Sequence, residues 1–103
     1  MRRHPHPGEL LKHDVLDPLH LSITEAAARL GTSRTTYSRV LGGNVSMSPD
    51  LAVRLERAGV STARFWLTLQ TNYELSRARR GARPEVRPLP DPIEPYTARN
   101  DRP

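Results

Sequence analysis

The sequence predicts an all-α fold: a compact bundle of five helices that contains a helix-turn-helix and is followed by a proline-rich tail. Three observations predict it. Apolar residues recur at helical spacing from residue 8 to residue 79, and no segment alternates strongly enough to read as a strand. Serines stand just before several of these stripes, where a helix needs a capping oxygen. Glycines at 31, 42, 43 and 59 close them. The chain of 103 residues suffices for one small domain.

Residues 1–7 contain two prolines and read as a flexible arm. A first helix is expected over residues 8–16, with Leu10, Leu11 and Val15 on its apolar side. Pro18 should end it, because the residue before a proline is pushed out of helical geometry. The run Ser22-Ile23-Thr24-Glu25 reads as a capping box that opens a second helix. Leu21 and Ala26 occupy the staple positions beside it. Ala27 and Leu30 continue the inner face, and Gly31 stops it.

A third helix should begin at Ser33 and end near Leu41, with Tyr37, Val40 and Leu41 as its inner stripe. A fourth follows Ser48, with Pro49 in the first helical position, where its missing N–H costs nothing. Leu51, Leu55 and Ala58 follow at helical spacing. A fifth and longer helix starts at Ser61 or Thr62 and reaches Arg79, its apolar side marked by Phe65, Trp66, Leu69 and Tyr73. Beyond it, six of the ten prolines lie in residues 84–103, so that segment reads as an extended or disordered tail. Three units result: an arm over 1–7, a helical domain over 8–80 and a tail over 81–103.

Charge locates the functional part. Sixteen basic residues oppose eleven acidic ones, for a net charge of +5, and all the basic residues except Lys12 are arginine. Basic and acidic residues balance in 1–21 and again in 82–103. The whole excess therefore lies in the helical segment. Arginine presents a planar fork that suits phosphates and guanine edges, which makes nucleic acid a plausible partner.

Two short helices joined by a glycine-containing turn read as a helix-turn-helix, with the third helix as its recognition helix. Its outward residues are Ser33, Arg34, Thr36 and Arg39. Ser33, Thr36 and Arg39 follow at intervals of three, each step turning about 60° around the helix, so they share a face. Small hydroxyls let the backbone approach base edges and can donate or accept there, and Arg39 is long enough to reach a guanine from one turn further back. These four are the candidate base-reading residues. Thr24, Thr35, Asn44, Ser46 and Ser48 are the candidate phosphate contacts; the last three follow the recognition helix, where backbone amides and hydroxyls can hold an anion.

The segments at 6–11 (HPGELL), 21–43 (LSITEAAARLGTSRTTYSRVLGG) and 46–75 (SMSPDLAVRLERAGVSTARFWLTLQTNYEL) resemble HigA-type antitoxins of the XRE, lambda-repressor-like superfamily. The likeness runs through residues 6–75 in order, and the stretch from Phe65 to Leu75 is its most specific part. The resemblance implies a five-helix DNA-binding domain, a homodimer, and a RelE-like, mRNA-cleaving HigB-type toxin as partner. It also maps the family's base-reading positions onto Ser33, Thr36 and Arg39. Three departures stand out. Thr32 replaces an apolar residue and is expected to loosen the turn. Tyr37 stands where Val or Ile is common, and a ring of that size either shifts the recognition helix outward or brings its phenol near the phosphates. Thr24 and Glu25 stand where many relatives carry Gln, which weakens one phosphate clamp.

The expected function is thus an antitoxin and autorepressor that binds a palindromic operator as a homodimer, with the fifth helix as the seam. Two alternatives remain open: a stand-alone repressor of the same fold without a toxin, and a protein-interaction adaptor that has lost DNA binding. No enzyme is expected, since no nucleophile–base pair or phosphate loop is present. No cofactor is expected either. With no cysteine, and with His4 and His6 unaccompanied by completing ligands, no metal site is expected. No apolar run is long enough to span a bilayer, and a cytoplasmic location is expected.

Overall fold

The computed structural model describes residues 4–81 and 85–90. The described residues form helices and connecting turns, with no strand among them. In chain order the elements are α1 (Pro7–Leu10), a π-helical stretch (Leu11–Leu16), α2 (Asp17–Leu19), α3 (Ile23–Leu30), α4 (Arg34–Leu41), α5 (Pro49–Arg57) and α6 (Ala63–Arg80). The first three run on without a break as one rod, so the described residues form five helical bodies.

Pro18 does not stop the first rod, as the sequence leads one to expect. A proline ring normally collides with the carbonyl four residues back. Here the preceding turn is widened: the Asp17 N–H bonds Lys12 O, five residues back, rather than four. The wider turn leaves room for the ring, and the rod continues to Leu19 before His20 turns left-handed at φ 56°. The rod also starts earlier than expected. His6 caps it through Nδ1, which accepts from Gly8 N at 3.0 Å. His6 and Pro7, read from the sequence as part of a flexible arm, are both buried.

The expected caps of the other helices form. Ser22, Ser33, Ser48 and Thr62 each accept a hydrogen bond from the backbone N–H three residues on. These bonds satisfy donors that the first turn would leave unpaired. The helices then bury their stripes in one core that contains Leu11, Ala27, Tyr37, Val40, Leu55 and Trp66. Within it α3 packs on α4, α5 on α6, and α1 on both α4 and α6.

The α1–α4 crossing is unusually close. A Cβ built on Gly8 would lie 1.9 Å from Val40 O and 2.9 Å from Leu41 Cα. Only a residue without a side chain fits there. Tyr37 settles into this core at 1% exposure, and burial raises the pKa of its phenol. The larger ring is thus absorbed beneath α4. It does not sit at the outer surface.

The inner face of α6 differs from the expected one. Trp66 is buried, and its indole N–H donates to Val60 O at 2.8 Å. Phe65 is 44% exposed and meets Trp66 edge to face. The buried neighbour one turn further on is polar, Gln70. The expected extended or disordered tail lies largely outside the described residues; residues 85–90 are exposed and carry no helix or strand.

Candidate nucleic-acid interface

The helix-turn-helix closes at Gly31, which takes φ 72°. Its N–H bonds Ala28 O at 3.1 Å, and the Thr32 N–H reaches back to Ala27 O at 3.0 Å. This pair of bonds satisfies the last carbonyls of α3. Arg54, on α5, adds a brace: Nη1 donates to Leu30 O at 3.0 Å and Gly31 O at 3.1 Å, while Nε donates to Asp50 at 2.8 Å. Thr32 therefore does not loosen the turn, contrary to expectation, because its backbone is bonded and a guanidinium holds the neighbouring carbonyls.

The turn sets α4 with one face in the core and the other in solvent. Ser33, Arg34, Thr35, Thr36 and Arg39 are all exposed. The Ser33 hydroxyl accepts from Thr36 N at 3.0 Å and donates to Thr36 Oγ1 at 2.8 Å. Its proton is thereby committed, whereas the Thr36 hydroxyl keeps its own to offer outward. Arg39 has no partner among the described residues, and no acidic residue interrupts α4. Its guanidinium is free to reach an acceptor.

Arg34 is placed differently from the other three. Its Nε donates to Thr24 Oγ1 at 3.0 Å, which ties the start of α4 to the start of α3. The structure thus joins a residue expected to read bases with one expected to touch a phosphate. The pair joins the first turns of the two helices, where the helix dipoles favour an anion.

The loop after α4 carries the remaining candidates. Asn44 and Ser46 are exposed, and Ser48 spends an oxygen lone pair on Leu51 N while keeping its proton. The Ser46 hydroxyl donates to Glu74 of α6, which also accepts from Gln70 Nε2 at 2.9 Å. These bonds hold the Glu74 carboxyl below its ordinary pKa. Ser46 is therefore engaged with a carboxylate, and Ser48 is the more available donor of the two.

The other face of the loop meets His6, whose ring stacks edge-on against Tyr73 at 4.9 Å between centroids. His6 Nε2 lies 3.0 Å from Val45 O. A carbonyl only accepts, so Nε2 carries the proton. Nδ1 accepts from Gly8, so the ring is neutral. Burial lowers its pKa and outweighs the raising effects of the Val45 carbonyl, Glu74 and Glu9.

Sequence reading missed Arg54, Gln70, Glu74 and His6 as supports of this surface. Each reaches a backbone or side-chain atom far along the chain, and no local pattern signals such a bond. Gln70 and Tyr73 do fall in the segment that carries the most specific resemblance.

No family model matches the chain. Individual relatives do. Virulence-associated protein A of Dichelobacter nodosus is 40% identical over 90 residues, spanning 86% of this chain and 88% of that protein. Antitoxin HigA-1 of Vibrio cholerae is 34% identical over 74 residues, spanning 72% of this chain and 70% of that one. Among solved structures, the Pseudomonas aeruginosa antitoxin HigA with the higBA promoter superposes with a TM-score of 0.70 at 34% identity, covering 74% of this chain and 83% of that chain.

The chain belongs to the HigA-type antitoxins of the XRE helix-turn-helix family. As a member it is a regulator and not an enzyme. Its helical bundle is the family fold, with α3 and α4 as the helix-turn-helix. No described helix is long and apolar enough to cross a membrane.

Proposed function

We propose that the protein is the antitoxin of a type II toxin–antitoxin pair. It binds a palindromic operator in its own promoter as a homodimer, represses its operon, and neutralises a RelE-like, mRNA-cleaving toxin. The observation that carries the DNA half is the outer face of α4. An ordinary solvated helix would mix Glu and Lys; this one shows small hydroxyls and an arginine with no partner among the described residues, and no acid. The promoter-bound state of the Pseudomonas HigA, which shares this fold, supports the same reading.

Thr36 and Arg39 read base edges, and Ser33 fixes the Thr36 hydroxyl. Arg34, held by Thr24, serves the backbone as well as the groove, with Thr35, Asn44, Ser46 and Ser48 along the flanking phosphates. One recognition helix covers only a few base pairs. A two-fold dimer places a second helix about one turn of DNA away and adds its contacts. The helical unit over 8–80 carries all of these groups, and the tail from 81 onward is dispensable for DNA binding.

The test is competition titration of the wild type and Arg39→Ala against promoter DNA and a scrambled duplex at one salt concentration. A bidentate arginine–guanine contact contributes about 1–3 kcal/mol, and the dimer loses it twice. Arg39→Ala should weaken promoter binding by about 2–6 kcal/mol while non-specific binding changes little. Equal loss on both DNAs would make Arg39 a phosphate contact and overturn the base-reading assignment. For the toxin half, where a RelE-like reading frame lies beside this gene, co-expression of this protein should restore the growth that the toxin arrests. The absence of such a frame would favour a stand-alone repressor.

A further inference from the structure

Three consecutive residues of the loop after α4 are held by side chains from elsewhere in the chain. Val45 O lies 3.0 Å from His6 Nε2. The Ser46 hydroxyl donates to Glu74. The Met47 N–H donates to Gln70 Oε1 at 2.7 Å. Gln70 and Glu74 are one helical turn apart on α6 and are themselves bonded, Nε2 to carboxylate, at 2.9 Å. Gln70 is 5% exposed, so both ends of its amide are used where water scarcely reaches.

We propose that Gln70 and Glu74 are positioning residues for DNA binding: as a donor–acceptor pair on α6 they fix the height and orientation of the 44–48 loop against the DNA backbone. The proposal rests on the operator-binding reading above. A loop of seven residues between two helices would otherwise sample many backbone conformations, and ordering it on contact with DNA would cost affinity. The pair removes that cost beforehand. It also explains why a buried glutamine occupies the inner face of α6, where an apolar residue would pack as well but would leave Met47 N–H unpaired.

The chemistry of the pair makes the proposal testable by exchange. In Gln70→Glu the bond between residues 70 and 74 is lost and two carboxylates face each other, so their repulsion pushes apart the two groups that hold the Met47 N–H and the Ser46 hydroxyl. In the double variant Gln70→Glu/Glu74→Gln every bond can re-form. Residue 70 still accepts from Met47 N–H, and the residue 74 amide nitrogen, placed where Glu74 Oε2 meets both groups, donates one N–H to residue 70 and the other to the Ser46 hydroxyl. Net charge is unchanged.

The experiment measures affinity of full-length wild type and both variants for their own promoter DNA and for a scrambled duplex. It runs at a temperature where circular dichroism shows each protein on its folded plateau. Gln70→Glu should bind promoter DNA at least about tenfold more weakly, roughly 1.4 kcal/mol. Its salt dependence should flatten by about one phosphate contact per half-site. The double variant should return to within about threefold of wild type, a gap under ~0.7 kcal/mol. A role in stability alone would leave the folded single variant with wild-type affinity and salt slope, and that result overturns the proposal. So does a double variant, folded or not, that fails to recover. If Gln70→Glu does not fold, Glu74→Ala at the exposed end of the pair takes its place in the same assay. Weaker promoter binding and a flatter salt slope are then expected, and wild-type affinity and slope overturn the proposal. A wild type with no preference for its promoter overturns the operator reading itself, and this inference with it.

Discussion

Gly8 offers the sharpest test of the packing, because the three atoms nearest to an added Cβ all belong to the backbone. Alanine there would put a methyl carbon 1.9 Å from Val40 O, 2.8 Å from Val40 C and 2.9 Å from Leu41 Cα. Carbon and oxygen in van der Waals contact need more than an ångström beyond the first of these distances. No rotamer can relieve the clash, so α1 or the last turn of α4 must move. Overpacking a core costs about 1–3 kcal/mol where side chains can adjust, and a rigid backbone contact belongs at the top of that range. Alanine regains at most about 1 kcal/mol through helix propensity, less at the first turn of a short helix. The net expectation for Gly8→Ala is a loss of about 2–3 kcal/mol, enough to lower Tm by roughly 8–24 °C in a domain of this size. Thermal and urea unfolding followed by circular dichroism would measure it. A Tm within about 3 °C of wild type would show that the two helices do not approach as described. Because the displaced residues end the recognition helix, promoter affinity of the folded variant should fall as well.

Arg54→Ala removes the brace on the helix-turn-helix. Its hydrogen bonds are charge-assisted but half-exposed, so the expected loss is about 1–2 kcal/mol rather than the full value of buried ones. Arg54→Lys should recover little of it, since one ammonium cannot span Asp50 and both carbonyls; urea unfolding that leaves both variants within about 0.5 kcal/mol of wild type would refute the brace. His6 makes stability depend on pH. Its folded pKa lies below the ordinary 6.5, so between those two values the unfolded chain binds the proton and the folded one resists it. The stabilisation is whole above 6.5 and is lost as pH falls through the folded value. Glu74, whose pKa lies below 4.5, adds a similar loss only in more acidic solution. Tm should therefore drop between about pH 7.5 and pH 5.5 in wild type and much less in His6→Gln; equal drops in the two would place the proton elsewhere.

Much of this architecture is encoded within single turns of the chain. Ser22, Ser33, Ser48 and Thr62 each cap a helix through a bond to the residue three positions on. Gly31 can take its left-handed turn because it carries no Cβ. Such bonds close inside a few residues, so the sequence pattern alone determines the helices from α3 to α6. The serine, threonine and arginine face of α4 follows with them, since helical periodicity fixes which positions share a side. Other features exist only once the helices have packed. Gln70 meets Met47 across 23 positions, Arg54 meets Leu30 across 24, and His6 meets Val45 across 39. The need for glycine at position 8 arises from Val40, on another helix. The widened turn before Pro18 is a compromise between a ring that cannot bond and a rod that stays helical on both sides of it. No local propensity specifies these partners, because the energy of a bond across the fold depends on which surfaces the core has already brought together. The sequence by itself therefore determined the helices and the chemistry of the exposed face. The tertiary structure decided which buried side chains hold that face, its turn and its loop in place.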